Sequence, residues 1–282
     1  MLWGSSGRKV TRLSGRYRSA VLQHLAKDPV ASVLAAVHVD SLGLGSSRML
    51  GIVERGALQN TVWYGANMVP VGTSHADRLL YADFALSRPR ECSSIVGNAD
   101  EVLDLWEMLR ENWSEDQVEV RASQPSLVAG ELKVQADPSV RPARIEDAPI
   151  VAPAAVAMFT EEVGYDPTAY GPGYLSRVYE LCRMGHSLIR TGIGPDGNER
   201  VEFKADIGAL YSGVAQIQGV WTAPDLRGTG IATGAMAAVV EHVRAHIAPT
   251  VSLYVNSYNH AALKVYDRVG FYQVGEFATV LL

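Results

Sequence analysis

The stretch "PDLRGTGIATGAMAAVV", Pro224–Val240, constrains this chain more than any other. It sets Arg227 and three glycines, Gly228, Gly230 and Gly234, directly ahead of an apolar helical pattern. Ala232, Ala235, Met236, Val239, Val240, Val243 and Ile247 recur at three- and four-residue spacings, and Pro249 stops the run. One face of such a helix packs on a sheet, and the small residues at its start allow close approach. A helix start carries backbone N–H groups without intrahelical partners, and the helix dipole adds positive potential there. A strand that enters through glycines leaves those groups open to a large anion, usually a phosphate. Gly228 and Gly230 have no Cβ to hold an anion off, and they reach unusual φ angles at little cost. Arg227 adds charge. On spacing alone two readings stand, a pyrophosphate cradle and an ordinary glycine-softened helix start. The loop is not a Walker loop, since no Gly-Lys-Ser/Thr closes it, and it lacks the dinucleotide-fingerprint spacing.

The 282 residues allow one large domain or two ordinary ones. "GELKVQADPSVRPAR", Gly130–Arg144, is polar and holds two prolines, so the expected division is 1–137 and 138–282. In the second part, "VRPARIED" reads as a short strand. A helix follows Asp147 and stops near Gly164, and a second ends at Gly185. "HSLIRTGI" and "ERVEFKADIGALY" read as strands joined by the turn "GPDGN". "GVAQIQGVWT" is a further strand, followed by the glycine loop and its helix. A strand "TVSLYVN", a short helix "HAALKVYDRV" and an extended run "FYQVGEFATVLL" complete the chain. Helices separate strands late in this part but not throughout, which fits a mixed α/β (α+β) sheet.

Hydrophobic residues make up 48% and charged residues 20%, enough for a full core in a soluble protein. A net charge of −5 argues against nucleic-acid or anionic-membrane partners, which need concentrated basic surface. No apolar run approaches the ~18 residues that cross a bilayer. The basic start "MLWGSSGRKVTRLSGRYR" lacks the apolar segment of a signal peptide, so a cytoplasmic location is expected. Cys92 and Cys182 form no metal or redox spacing and read as buried thiols. His242 and His246 stand four apart without a third ligand, so no metal is expected.

"LYVNSYNHAALKVYDRVGF" places Asn259 at a helix start and Tyr266 seven residues later, about two turns on and on the same face. Asn259 is also a good helix cap, and Tyr266 a good core aromatic. Together with the upstream loop, these residues resemble the GNAT superfamily of acyl-CoA-dependent N-acetyltransferases. Arg227, Gly230 and Ala232 match its Arg/Gln-x-x-Gly-x-Gly/Ala signature. "VWTAPDLRG" matches the strand entering the loop, and Asn259, Ala262, Tyr266, Gly270 and Phe271 match the closing segment. The resemblance covers Val140–Leu282.

The resemblance implies a V-shaped slot between the splayed strands Gly213–Thr222 and "TVSLYVN". It assigns cofactor contacts to Val220, Trp221 and Thr222, with pantetheine on the backbone of Val220 and Thr222. It puts pyrophosphate on the N–H groups of Arg227, Gly228, Thr229, Gly230, Ile231, Ala232 and Thr233. Asn259 holds the pantetheine arm, and Tyr266 protonates the leaving thiolate. A primary amine, on a small molecule or a peptide, attacks the acetyl carbonyl of acetyl-CoA directly. A phenol of pKa ~10 is protonated at neutral pH and suits the acid role.

Some protein amino-terminal acetyltransferases of the superfamily carry a glutamate base on the penultimate strand, where this chain has Tyr254. Base candidates are Glu162, Glu161 and Asp206. Neutralising a lysine amine of pKa ~10.4 near pH 7.4 costs about 4 kcal/mol, whereas an α-amine of pKa ~8 costs under ~1 kcal/mol, so a weak base suits a low-pKa amine.

In the first part, "RYRSAVLQHLAKDPVASVLAAVHVDSLGLG" reads as helical with a break at Pro29, and "RMLGIVERGALQNTVWYGANMVPV" as a hairpin. "CSSIVGNADEVLDLWEMLREN" reads as strand, turn and helix with Val102, Leu103, Trp106 and Leu109 inward. This order suggests a second, degenerate GNAT-like domain in tandem. Its comparable loop is "VGNADEV", where Asp100 and Glu101 would repel a pyrophosphate. The glycine-rich "SLGLGSS" follows a helix and precedes a strand, the wrong context for a phosphate. One cofactor per chain is therefore expected, in a monomer or homodimer. The tandem layout is also similar to mycothiol synthase, which acetylates a cysteinyl amine. A non-catalytic acyl-CoA-binding regulator is the alternative from another class.

Overall fold

The computed structural model describes residues 8–41, 48–113 and 118–282. The glycine-rich stretch at 42–47 lies outside the described residues. One element order occurs twice: strand, two helices, three strands, helix, strand, helix, strand. The first pass runs β1 (Val10–Arg12), α1 (Arg18–Leu25), α2 (Pro29–Ala36), β2 (Met49–Glu54), β3 (Ala57–Tyr64), β4 (Asn67–Val71), α3 (His75–Leu86), β5 (Ser94–Asn98), α4 (Ala99–Trp113) and β6 (Glu119–Ala129). The second runs β7 (Arg141–Pro142), α5 (Ala148–Val163), α6 (Gly173–Arg183), β8 (Ser187–Ile193), β9 (Glu199–Tyr211), β10 (Val214–Thr222), α7 (Ile231–His246), β11 (Thr250–Tyr254), α8 (His260–Val269) and β12 (Phe271–Leu281).

Two compact units result. The first holds the described residues of Met1–Ser126 with Tyr254–Ser257 and Val274–Leu282, and the second holds Leu127–Leu253 and Tyr258–Gln273. Chain order therefore differs from spatial grouping at the C-terminus. Phe277–Leu281 pair antiparallel with Asn98–Ser94 of β5, which draws the last strand into the first unit.

In the first unit β1, β2, β3 and β4 follow one another antiparallel, and β4 pairs parallel with β5 at Asn67 and Met68. The expected hairpin over "RMLGIVERGALQNTVWYGANMVPV" is thus three strands. Arg55 and Gly56 turn the first corner at φ 48 and 82, and a second corner lies between Tyr64 and Asn67. α2 begins where Pro29 fills the first helical position and the Asp28 carboxylate accepts from the Ala31 N–H at 2.9 Å. α4 starts directly after β5, with no turn between. It buries Val102, Leu105, Trp106 and Leu109, whereas Leu103 is only partly buried against the same core. Leu50, Ile52, Tyr64, Met68 and Tyr81 complete that core with Ala278 and Val280 from β12.

In the second unit the strand order is β11, β10, β9, β8, β7. α5 ends on Gly164, left-handed at φ 90. Its buried face, Ala148, Val151, Ala154 and Ala155, packs with Val178 and Cys182 of α6 on Ile189 and Val201 of the sheet. α7 buries Ala235, Met236, Val239, Val240 and Val243 of the face its spacing predicts, together with Ala237 and Ala238, whereas Ala232 and Ile247 at the two ends are only partly buried.

Candidate active site

β10 and β11 run parallel with Val214, Ala215 and Gln216 opposite Thr250, Val251 and Ser252. The register stops there, and Ile217–Thr222 continue beside β9 alone. This splay leaves one edge of Val220, Trp221 and Thr222 without a strand partner, the V-shaped slot that the resemblance implies. Beyond Thr222 a short 3-10 turn, Pro224–Leu226, leads into Arg227.

Gly228 and Gly230 sit at φ 78 and 94, and a Cβ built on either meets nothing within 4 Å. Both conformations favour glycine, and both positions face open space. Gly230 is the N-cap of α7 and offers no side-chain bond. The first turn, Ile231, Ala232 and Thr233, contains no acidic residue. The Thr229 hydroxyl is turned back onto the Leu226 carbonyl at 2.7 Å. A sixteen-residue helix therefore presents uncapped N–H groups to solvent. The third glycine has a different task. A Cβ on Gly234 would stand 3.5 Å from the Asp137 Cβ. The Asp137 N–H bonds the Gly234 carbonyl at 3.0 Å, and Arg190 holds the Asp137 carboxylate at 2.7 Å.

Arg227 reaches back from the turn. Its Nε donates to the Thr222 carbonyl at 3.0 Å, and its Nη2 meets the Glu161 carboxylate at 2.6 Å. Trp221 Nε1 donates to the other Glu161 oxygen at 3.3 Å. Both charged groups are close to half exposed, so the pair is weak and open to competition by an anion. Glu161 therefore serves the turn.

Asn259 caps α8, its side-chain oxygen accepting from the Ala262 N–H at 3.1 Å. Tyr266, two turns on, is 6% exposed and packs on Phe271 at 5.6 Å between ring centroids. Its hydroxyl bonds no described residue. Burial, and then the Glu162 carboxylate, push its pKa above the ordinary phenol value. Glu162 also acts on Tyr174, whose pKa is raised by burial and by Asp206 and Glu162. The end of α5 and the middle of α8 thus share one electrostatic neighbourhood.

Asp206, the third base candidate, is held in a structural pair. It accepts from the Lys204 ammonium at 2.6 Å and the Ser187 hydroxyl at 2.7 Å. His242 and His246 stack, and His246 Nδ1 lies 3.0 Å from the His242 carbonyl. Among the described residues no group of three His, Cys, Asp or Glu could hold a metal. Cys92 and Cys182 are free and buried, and burial raises both thiols to about 11. Among the same residues no helix is long and apolar enough to cross a membrane.

The first unit corrects one expectation. The counterpart of the α7 loop is not "VGNADEV" but the turn between β4 and α3, Gly72-Thr73-Ser74. It stands in the element order where Gly228-Thr229-Gly230 stands. α3 is closed by a capping box. Ser74 accepts from the Asp77 N–H, and Asp77 accepts from the Ser74 N–H at 2.8 Å. Glu101, from the start of α4, fills the remaining donors. Its carboxylate accepts from the Gly72 N–H at 3.1 Å, the Thr73 N–H at 2.8 Å and the Thr73 hydroxyl at 2.5 Å. The acidic residue singled out in the sequence does cover a turn, but not the start of its own helix.

The splayed parallel pair feeding a glycine turn at a helix start is the geometry that the resemblance to the GNAT superfamily implies. Residues 194–271, which lie almost wholly in the second unit, match the acetyltransferase (GNAT) family. Residues 47–151 match a domain of unknown function, DUF4081. Solved structures share the fold over nearly the whole chain. A GNAT-family acetyltransferase from Colwellia psychrerythraea is 13% identical at a TM-score of 0.56, covering 97% of this chain and 99% of its own. A tandem GNAT protein from the clavulanic acid biosynthesis pathway is 12% identical at 0.54, covering 97% and 98%. A Drosophila protein is 13% identical at 0.62, covering 98% and 99%. At these identities the likeness is one of fold. No curated protein matches the chain.

Proposed function

We propose that the second unit transfers an acetyl group from acetyl-CoA to a primary amine by direct attack. The observation that carries this reading is the open turn. Gly228 and Gly230 are left-handed with free space over their Cα atoms, ahead of a helix start with no cap and no acid. That combination suits a pyrophosphate. Val220 and Thr222, on the edge of β10 released by β11, are suited to bind the pantetheine amides. Asn259, at the start of α8, is suited to hold the pantetheine arm.

Tyr266 is the proposed acid. Burial and Glu162 keep its phenol protonated at neutral pH, so it can donate to the sulfur as negative charge develops there. Glu162 is the proposed acceptor of the amine proton. Its carboxylate acts on the buried Tyr266 and Tyr174 phenols, which supports a place for it beside the proposed acid. The ion pairs that hold Glu161 and Asp206 favour the second reading, a non-catalytic acyl-CoA-binding regulator. The two readings separate on Tyr266→Phe. As an enzyme, the variant loses kcat by about 10²–10⁴ with acetyl-CoA affinity preserved. Unchanged kcat would make the phenol a packing residue.

A further inference from the structure

The glycine turn has one cation of its own. Arg227 is the only lysine or arginine between Pro224 and Val240, and a carboxylate already engages it. Its Nη2 donates to Glu161 Oε2 at 2.6 Å. Glu161 lies in the last turn of α5, and its other oxygen accepts from Trp221 Nε1 at 3.3 Å. One carboxylate therefore joins the end of α5, the residue ahead of Gly228, and a side chain of β10 beyond the point where β11 leaves it.

This bond is built for exchange. Arg227 and Glu161 keep 47% and 44% of their side-chain surface in water, and an exposed pair favours the closed arrangement by no more than about fivefold. A pyrophosphate carries more charge than one carboxylate and takes a guanidinium bidentately, so on the open turn it wins Arg227. Glu161 is then left without its cation, because among the described residues Arg227 is its one ion-pair partner. The Trp221 N–H bond does not depend on Arg227 and keeps the freed carboxylate beside β10.

We propose that Glu161 serves two cations in turn: it holds Arg227 in the free protein, and once acetyl-CoA has taken Arg227 it binds the ammonium of the acceptor. The acceptor is then an amine that arrives protonated. Glu161 holds the cation, and its neighbour Glu162 takes the proton before attack. Whichever ligand binds first opens the pair, and the second does not open it again. Each therefore raises the affinity for the other by the same factor, up to about fivefold. The inference rests on the acetyl-CoA reading above.

The test is Glu161→Gln in the full chain, a change of charge at an exposed side chain. Calorimetry shows CoA binding up to about fivefold tighter than in wild type, while pantetheine, which has no pyrophosphate to compete for Arg227, binds unchanged. With saturating acetyl-CoA and the amine that releases thiol fastest from wild type, KM for the amine rises about ten- to a hundredfold and kcat holds. A mere tether between α5 and β10 would weaken both ligands or neither, so opposite signs are the signature. CoA affinity that falls or stays the same, an unchanged KM, or a variant that does not fold overturns the exchange and leaves the acetyl-CoA reading standing. Wild-type protein that does not bind acetyl-CoA, or that binds it and turns over no amine, refutes that reading and this inference with it.

Discussion

Replacing Gly230 by valine separates the cradle from an ordinary helix start. Gly230 lies at φ 94 with nothing within 4 Å of a built Cβ, so the cost to folding is backbone strain, about 1–3 kcal/mol. Against a typical stability of ~5–15 kcal/mol the variant stays folded. The cost to binding is larger. The valine branches would occupy the space in front of the first N–H groups of α7. Hydrogen bonds to a charged group contribute about 1.5–3 kcal/mol each. Losing two weakens acetyl-CoA by two to four orders of magnitude at about 1.4 kcal/mol per tenfold. Calorimetry with acetyl-CoA reads this directly, with circular dichroism to monitor the fold. Acetylpantetheine, which has no pyrophosphate, is the control and binds the variant as it binds wild type. Wild-type acetyl-CoA affinity in a folded variant would refute the cradle.

A titration of the full chain gives one CoA per chain, because Glu101 already occupies the Gly72 and Thr73 donors of the first unit; two CoA per chain would contradict this. Glu101→Ala leaves the part-buried Thr73 donors unmet and lowers stability by about 1–3 kcal/mol in denaturant unfolding. Asp147 is held to a pKa of about 2, chiefly by its hydrogen bonds to Arg141, below the ~3.9 of an unfolded aspartate. Its contribution is present above about pH 4 and is lost as pH falls toward 2. The stability gap between wild type and Asp147→Asn therefore closes across that window, and a constant gap would show that the pair does not stabilise the fold.

The second unit was largely legible because its punctuation is local. Gly164, the "GPDGN" turn and Pro249 mark boundaries that neighbouring residues alone determine. The first unit hid two features. α3 is capped by Ser74 with Asp77 three residues on, a capping signal present in the sequence. Gly72-Thr73-Ser74 nearly repeats Gly228-Thr229-Gly230, which exposes the duplication once the two are set side by side. Glu101 points at a turn 28 residues upstream, and only the fold brings them together. The pairing of β12 with β5 is equally non-local, so no linear boundary near residue 137 captures the units. In the site, the glycines and Tyr266 were readable by type and spacing. The pairing of Arg227 with Glu161 was not: 66 positions separate them, and α5 must fold onto β10 before they meet.

The most direct test of acetyl transfer is free-thiol release from acetyl-CoA across small amines, polyamines, aminoglycosides and peptides, with mass spectrometry of the acceptor. The account predicts thiol release in step with an N-acetylated product for at least one primary amine. Binding of acetyl-CoA with no thiol released for any amine would contradict it and establish the regulator instead.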